Sequence, residues 1–263
     1  MAATDEDKKE GGLYLYCVIE GNTEPAGLKD IKGIGDKPLR SIPYEDMQAI
    51  VSDVDTKPRA NRDNLLRHAN VLEQLLKFGQ MLPARFGLIA DDDEDVLNNF
   101  LKPHHQEFDE LLKKLHGKHE VDLKVYWDNN AVLQEVANAN EQVQKLRESL
   151  VGKSPQDKSV YQQKVQLGEI VHKAVEAKRT NLKEEALNML KSISADLKEN
   201  DLQSENMVLN MAFLVPEEKQ SEFTANLENL DKKYQGLLTF KVVPDAPPYN
   251  FVSERITQKA GST

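Results

Sequence analysis

A chain of 263 residues exceeds the usual span of one domain, ~100–150 residues, so two domains are expected, each able to bury its own core. With 39% hydrophobic and 30% charged residues, the composition is that of a globular protein with a heavily solvated surface, which excludes a disordered chain or a membrane-embedded one. The 34 basic and 44 acidic residues leave a formal net charge of −10 that repels phosphate backbones and anionic membranes, and no segregated basic patch is seen. Neither nucleic acid nor membrane is expected as a partner.

Cys17 is the only cysteine, so no internal disulfide can form, and its apolar surroundings make it a small hydrophobe in a reducing compartment. Residues 1–12 lack the apolar core of a signal peptide, and no apolar run approaches the ~18 residues of a membrane span. A disordered tail over 1–12 and a flexible tail over 257–263 are expected.

Leu13 to Ile19 is apolar on both alternating faces, as in a central strand. The Gly- and Pro-rich stretch from Asn22 to Pro38 reads as loop, followed by strands near Leu39–Ile42 and Met47–Val54 that form a hairpin across Pro43–Asp46. Asn61 or Asp63 caps a helix whose stripe is Leu65, Leu72 and Leu76 with His68, Ala69 and Leu75, and Gly79 stops it. Met81 to Ile89 returns to strand. Asp91–Asp95 opens a helix striped by Leu97, Leu101, Phe108, Leu112 and Leu115, which Pro103 should kink or split.

Glu120 to Trp127 alternates strictly, with Val121, Leu123, Val125 and Trp127 on one face. A helix follows over Asn129–Leu150, broken at Gly152–Pro155. A longer helical pattern runs from Gln156 to Asn200, its stripe interrupted around Lys178 to Lys183; unbroken it would span ~60 Å, longer than a compact domain needs, so a break is expected near Thr180–Asn181. Met207–Val215 is a strand, Phe223, Leu227, Leu230 and Tyr234 mark a helix, and Leu237–Val243 is a last strand. The fold class expected is α+β in two domains. Residues 13–128 form a modified ferredoxin-like α/β sandwich with helices on one sheet face, and 129–256 form a smaller α+β unit with a long helical segment.

Tests for chemistry fail one after another. Asp91, Asp93 and Asp95 have the first spacings of a calcium loop, but Val96 and Lys102 stand where glycine and glutamate are needed. His104, His105, His116 and His119 have neither a nearby cysteine nor an HExxH pattern, so surface histidines are the expectation. Gly33-Ile34-Gly35 lacks the third glycine of a phosphate cradle, and no nucleophile motif occurs. Tyr14 and Tyr16 could form a stacking platform for RNA, but core tyrosines fit the acidic chain better. Arg62, His68 and Arg85 could converge as an anion site or, by preference, as a structural salt-bridge network. No catalytic, cofactor-binding or metal residue is assigned.

Met81-Leu82-Pro83-Ala84-Arg85-Phe86-Gly87, with His68 before it and Gly117-Lys118-His119-Glu120-Val121 after it, resembles the gas vesicle protein F/L family. Gln166-Leu167-Gly168, Leu209-Asn210-Met211-Ala212-Phe213-Leu214-Val215 and Pro247-Pro248-Tyr249-Asn250-Phe251-Val252 are similar to its later landmarks in the same order. LPARFG itself reads as a proline entering a strand, a buried phenylalanine and a glycine leaving it. Ala246 departs from a tryptophan often found there in the family. The resemblance implies a non-enzymatic accessory protein of gas vesicle assembly, without cofactor or small-molecule substrate. Its implied partners are the small hydrophobic gas vesicle shell protein and other accessory proteins, its location is the gas vesicle within the cytoplasm, and its implied fold is two α+β domains. An apolar groove beside the long helix, or a sheet edge of the second domain, is the expected binding surface. The competing reading is an enzyme or small-ligand-binding protein on a ferredoxin-like scaffold, a fold that hosts many functions.

Overall fold

The protein's structure is a computed structural model that describes residues 11–153 and 158–252. The expected tails, apart from Gly11 and Gly12, Ser154 and Pro155 of the expected helix break, Gln156 at the start of the expected long helix and residues 253–256 of the expected second domain lie outside the described residues. Gly12 opens a strand. Two compact units divide the chain, Met1–Glu120 with Asp245–Thr263, and Val121–Pro244.

The first unit is built on β1 (Gly12–Glu20), whose apolar run is buried on both faces as its lack of polar alternation predicts. It pairs antiparallel with β3 (Met47–Val54), which pairs with β2 (Arg40–Tyr44), and on its other side with β4 (Met81–Pro83) and β5 (Ile89–Ala90), giving the order β2-β3-β1-β4. The β2–β3 hairpin is tighter than expected: Pro43 pairs with Gln48 inside it, and Glu45 and Asp46 alone form the turn. A bulge at Tyr16 shifts the β1–β3 register between Leu15 and Cys17. Because side chains alternate, the extra residue puts Cys17 and Ile19 on the same face as Tyr14 and Tyr16, and all four join one core.

α1 (Arg62–Leu75) starts at Asn61, whose side chain accepts the Asn64 N–H at 2.9 Å. Its buried stripe is His68, Val71, Leu72 and Leu75; Leu65 and Ala69, expected there, are exposed. The expected strand Met81–Ile89 is two short strands, since Pro83 ends β4 and residues 84–88 form a loop. Pro83 thus leaves a strand and Phe86 is only half-buried, both unlike the sequence reading. The next helical stretch runs through α2 (Asp93–Asp95), a π-helical turn over Val96–Leu101, and α3 (Lys102–Leu115). Pro103 lies inside this continuous stretch and does not split it; the π-helical turn stands directly before it, where the missing N–H would interrupt regular α-helical bonding. α3 packs on β1 and β4, and Leu13, Leu15 and Val18 on the second face of β1 are buried too, so burial is not confined to one sheet face.

In the second unit the sheet order is β7-β8-β6-β9, from β6 (Lys118–Trp127), β7 (Asp196–Glu199), β8 (Met207–Pro216) and β9 (Leu238–Ala246). Val121, Leu123, Val125 and Trp127 of β6 enter this core, so the division falls at Glu120 instead of near Asp128. The helix expected over Asn129–Leu150 is two, α4 (Asn129–Ala139) and α5 (Glu141–Leu150). Asn140 ends one and caps the other, accepting the N–H groups of Gln142 and Val143 at 3.0 and 3.2 Å.

α6 (Lys158–Leu190) is one helix of 33 residues, about 50 Å long at ~1.5 Å per residue, with no break at Thr180–Asn181. The charged residues that interrupt its stripe are tied down: Lys178 to Glu135 at 2.6 Å, Lys183 to Glu199 at 2.5 Å, and Arg179 over the Trp127 ring at 4.9 Å. It also ends earlier than expected, because Leu197 belongs to β7. Leu182, Ala186 and Leu190 of α6 pack with Phe223, Leu227 and Leu230 of α7 (Gln220–Lys233) over the sheet, while Tyr161 and Val165 near the start of α6 are exposed. Among the described residues no helix is long and apolar enough to cross a membrane.

Candidate functional site

Polar groups with displaced proton affinities gather in the first unit around His68, which α1 turns inward on its buried stripe and which is only 4% exposed. Its Nδ1 lies 3.0 Å from the Tyr14 hydroxyl, and its Nε2 lies 3.1 Å from the Ala84 carbonyl oxygen and 3.0 Å from the Tyr249 hydroxyl. The Gly87 N–H donates to the Tyr14 hydroxyl at 3.0 Å, and the Tyr249 hydroxyl donates to the Ala84 carbonyl at 3.2 Å. One proton assignment satisfies this set: Tyr14 donates to Nδ1 while Nε2–H donates to Ala84.

Burial lowers the His68 pKa to about 4, against the opposing hydrogen bond to Ala84, so the ring is neutral near pH 7. Burial likewise pushes both tyrosine hydroxyls up, for Tyr14 against the Gly87 hydrogen bond, and both stay protonated. Each polar atom faces a partner inside the cluster. The arrangement holds the loop after β4 and the C-terminal element to α1, which is a clasp and not a poised acid–base pair.

The C-terminal element is fixed at a second point. Asn250 donates its backbone N–H and its side-chain amide to the Glu120 carboxylate, at 3.1 and 2.7 Å, and Glu120 is 2% exposed. His119 Nδ1 lies 2.8 Å from Asp245, and Lys114 stands over the Phe251 ring at 5.8 Å. The segments around His68, Leu82–Gly87, Gly117–Glu120 and Pro247–Val252, separate in sequence, therefore meet in one unit. Ala246 is buried at the start of the last of them.

Other residues singled out in the sequence disperse. His68 does not meet Arg62 or Arg85, both exposed, so the salt-bridge network expected there is absent. His104 bonds the Phe100 carbonyl, His105 lies 2.7 Å from Asp46, His116 lies 3.9 Å from Glu20 and His119 pairs with Asp245. His105, half-buried, and the exposed Asp46 and Glu45 do form a histidine–carboxylate group, and the bond to His105 holds the Asp46 carboxyl below its usual range. Asp93 is held by Arg40 at 2.6 and 3.0 Å, Asp92 caps Asp95 and Asp95 accepts the Asp91 N–H, so these carboxylates serve the helix start.

Tyr14 and Tyr16 are fully buried core residues and offer no stacking platform. The Tyr16 hydroxyl accepts the Ile34 N–H at 2.7 Å and bonds Ser52 at 2.9 Å, and a Cβ on Gly33 would fall 2.2 Å from it, so Gly33 serves close packing. Cys17 is sealed in the same core, and burial pushes its thiol up. Sequence reasoning missed Glu120 and Tyr249 as members of the clasp. Glu120 falls on the polar parity of β6 and gives no signal; the signal for the rest is a histidine on an apolar helix stripe facing tyrosines of an apolar strand.

A family model described as gas vesicle synthesis protein GvpL/GvpF matches residues 12–253. Gas vesicle protein F of Dolichospermum flosaquae is 31% identical over 242 residues, covering 91% of this chain and 96% of that protein. The crystal structure of GvpF from Anabaena sp. PCC7120 superposes with a TM-score of 0.81 at 28% identity, over 92% of this chain and 98% of that one. GvpF from Microcystis aeruginosa superposes with a TM-score of 0.75 at 28% identity, over 91% and 98%. With the match spanning both units and every element of the clasp, the chain belongs to the gas vesicle synthesis protein GvpL/GvpF family.

Proposed function

We propose that the protein is a non-enzymatic accessory protein of gas vesicle assembly. In this reading it works in the cytoplasm at the gas vesicle and binds the small hydrophobic shell protein and other accessory proteins, as nucleator, chaperone or minor vesicle component. The observation that carries the reading is the family match over residues 12–253. The clasp supports it, because His68, Tyr14 and Tyr249 spend their polar atoms on one another, as structural groups do.

A shell subunit with a gas-facing apolar surface aggregates in water, and a partner that covers part of that surface lowers its free concentration. The partner must stay dissolved, which a net charge of −10 favours. Two surfaces of the second unit suit this task. The early part of α6 exposes Tyr161 at 70% and Val165 at 45%, and the edge strand β9 exposes Val242 and Val243. The first unit is read as a modified ferredoxin-like domain: its antiparallel strand order matches, with 3-10 turns at Leu28–Asp30 and Ile34–Asp36 standing where a helix would join β1 to β2.

Deleting the gene in a vesicle-forming host tests the role. Few or misshapen vesicles, restored by the full chain on a plasmid, are expected together with co-purification of the shell protein on that chain. Vesicles normal in number and shape would overturn it.

A further inference from the structure

The helix α1 carries two stripes of the same spacing. His68, Val71, Leu72 and Leu75 point inward, whereas Arg62, Leu65, Leu66 and Ala69, also at i, i+3, i+4 and i+7, are exposed, the leucines at 45% and 50%. Single exposed leucines are ordinary on a protein surface; an adjacent pair continued by Ala69 along one stripe is an apolar strip on a face that a globular helix usually makes polar.

Cations lead into the strip. Between Lys57 and Arg67 stand Lys57, Arg59, Arg62 and Arg67 against Asp63 alone, in a chain of net charge −10. Arg67 pairs with Asp36 at 3.0 Å, but no carboxylate partner is found for Lys57, Arg59 or Arg62 among the described residues. Lys57 and Arg59 also line a cavity of about 350 Å³ beside the start of α1. The basic patch not seen in the sequence is therefore present, small and joined to exposed apolar surface.

We propose that the outer face of α1 docks an acidic amphipathic helix of another protein. Aliphatic side chains of that helix cover Leu65, Leu66 and Ala69, and its carboxylates meet Arg62, Arg59 and Lys57, one of them at the cavity. Charge complementarity selects this occupant: the free cations call for carboxylates, and a strip two turns long matches the i to i+7 face of a partner helix. An anionic bilayer has the same charge, but its flat surface does not fill the cavity beside the start of α1. The surface is distinct from the shell-protein surfaces proposed on α6 and β9.

The test uses the full chain and a dye-labelled synthetic helix with leucine at i, i+3, i+4 and i+7 and glutamate elsewhere, followed by fluorescence anisotropy. A counterpart peptide carries lysine for each glutamate. Binding of the glutamate peptide should be saturable, weaker by about tenfold or more in both Leu65→Ser/Leu66→Ser and Arg62→Glu, and absent for the lysine peptide. The altered side chains are exposed, so circular dichroism melting should confirm that the variants fold like the parent.

Equal binding of the lysine peptide, or variants that bind as the parent does, would overturn the proposal. So would a dimer in sedimentation that dissolves on Leu65→Ser/Leu66→Ser, or flotation with phosphatidylserine vesicles that depends on the two leucines while the peptide fails to bind. No gas vesicle component enters the measurement, so its result is separate from the fate of the assembly reading.

Discussion

Glu120 and Asn250, 130 residues apart, are joined by two hydrogen bonds to one buried carboxylate. Removing the acceptor leaves the donors of Asn250 to find others in a protein interior, so Glu120→Ala should destabilise the first unit by about 2–4 kcal/mol. Glu120→Gln, which keeps the shape and one acceptor, should cost less. Urea midpoints give the order, and limited proteolysis after Phe251 should be faster in Glu120→Ala than in the parent.

The neutral His68 sets a pH dependence with a definite sign. Its folded pKa of about 4 lies below the ordinary 6.5, so the unfolded chain takes up a proton first as pH falls. Stability is unaffected by this group above pH ~6.5, decreases between ~6.5 and ~4, and loses about 3 kcal/mol by the end of that window. His68→Gln should start lower at pH 7, by about 1–3 kcal/mol, and lack this slope. Urea titrations at several pH values on both proteins measure it; parallel curves would contradict a neutral buried ring.

Within the clasp the two tyrosines are unequal. Tyr14→Phe strands both the Gly87 N–H and His68 Nδ1, at a cost of about 1–3 kcal/mol, whereas Tyr249→Phe leaves His68 bonded to Ala84 and should cost about 0.5–1.5 kcal/mol. A double-mutant cycle between Tyr14→Phe and His68→Gln should show a coupling of about 1 kcal/mol, since each removes the partner of the other.

Gly33→Ala should be poorly tolerated, because its new methyl would meet the Tyr16 hydroxyl oxygen at 2.2 Å and displace the Ile34 N–H bond. A loss of about 2 kcal/mol or more is expected. Tyr16→Phe removes the clashing oxygen, so the double variant should be more stable than the sum of the single effects predicts, as read from thermal midpoints.

What periodicity can encode was legible. The alternation of Val121, Leu123, Val125 and Trp127 and the unbroken apolar runs of β1 and β8 gave strands where strands stand. The capping asparagine of α1 was one of two candidates from chemistry alone. Features set by distant partners were not legible: α6 runs through its charged stretch because Glu135, Glu199 and Trp127 receive Lys178, Lys183 and Arg179. Leu65 obeys helical spacing yet faces outward, because two stripes of the same period overlap in α1 and spacing does not say which one the core takes. The clasp joins His68 to partners 54 and 181 residues away, a range over which no local pattern operates.

The sealed Cys17 also makes the chain a ready instrument. It is the only thiol, it lies in the first unit, and the only indole, Trp127, lies in the second. A thiol-trapping reagent marks Cys17 only when the first sheet opens, while indole emission follows the second core. One unmodified sample therefore carries a separate clock for each unit, and comparing the two rates tells whether they come apart together or in turn.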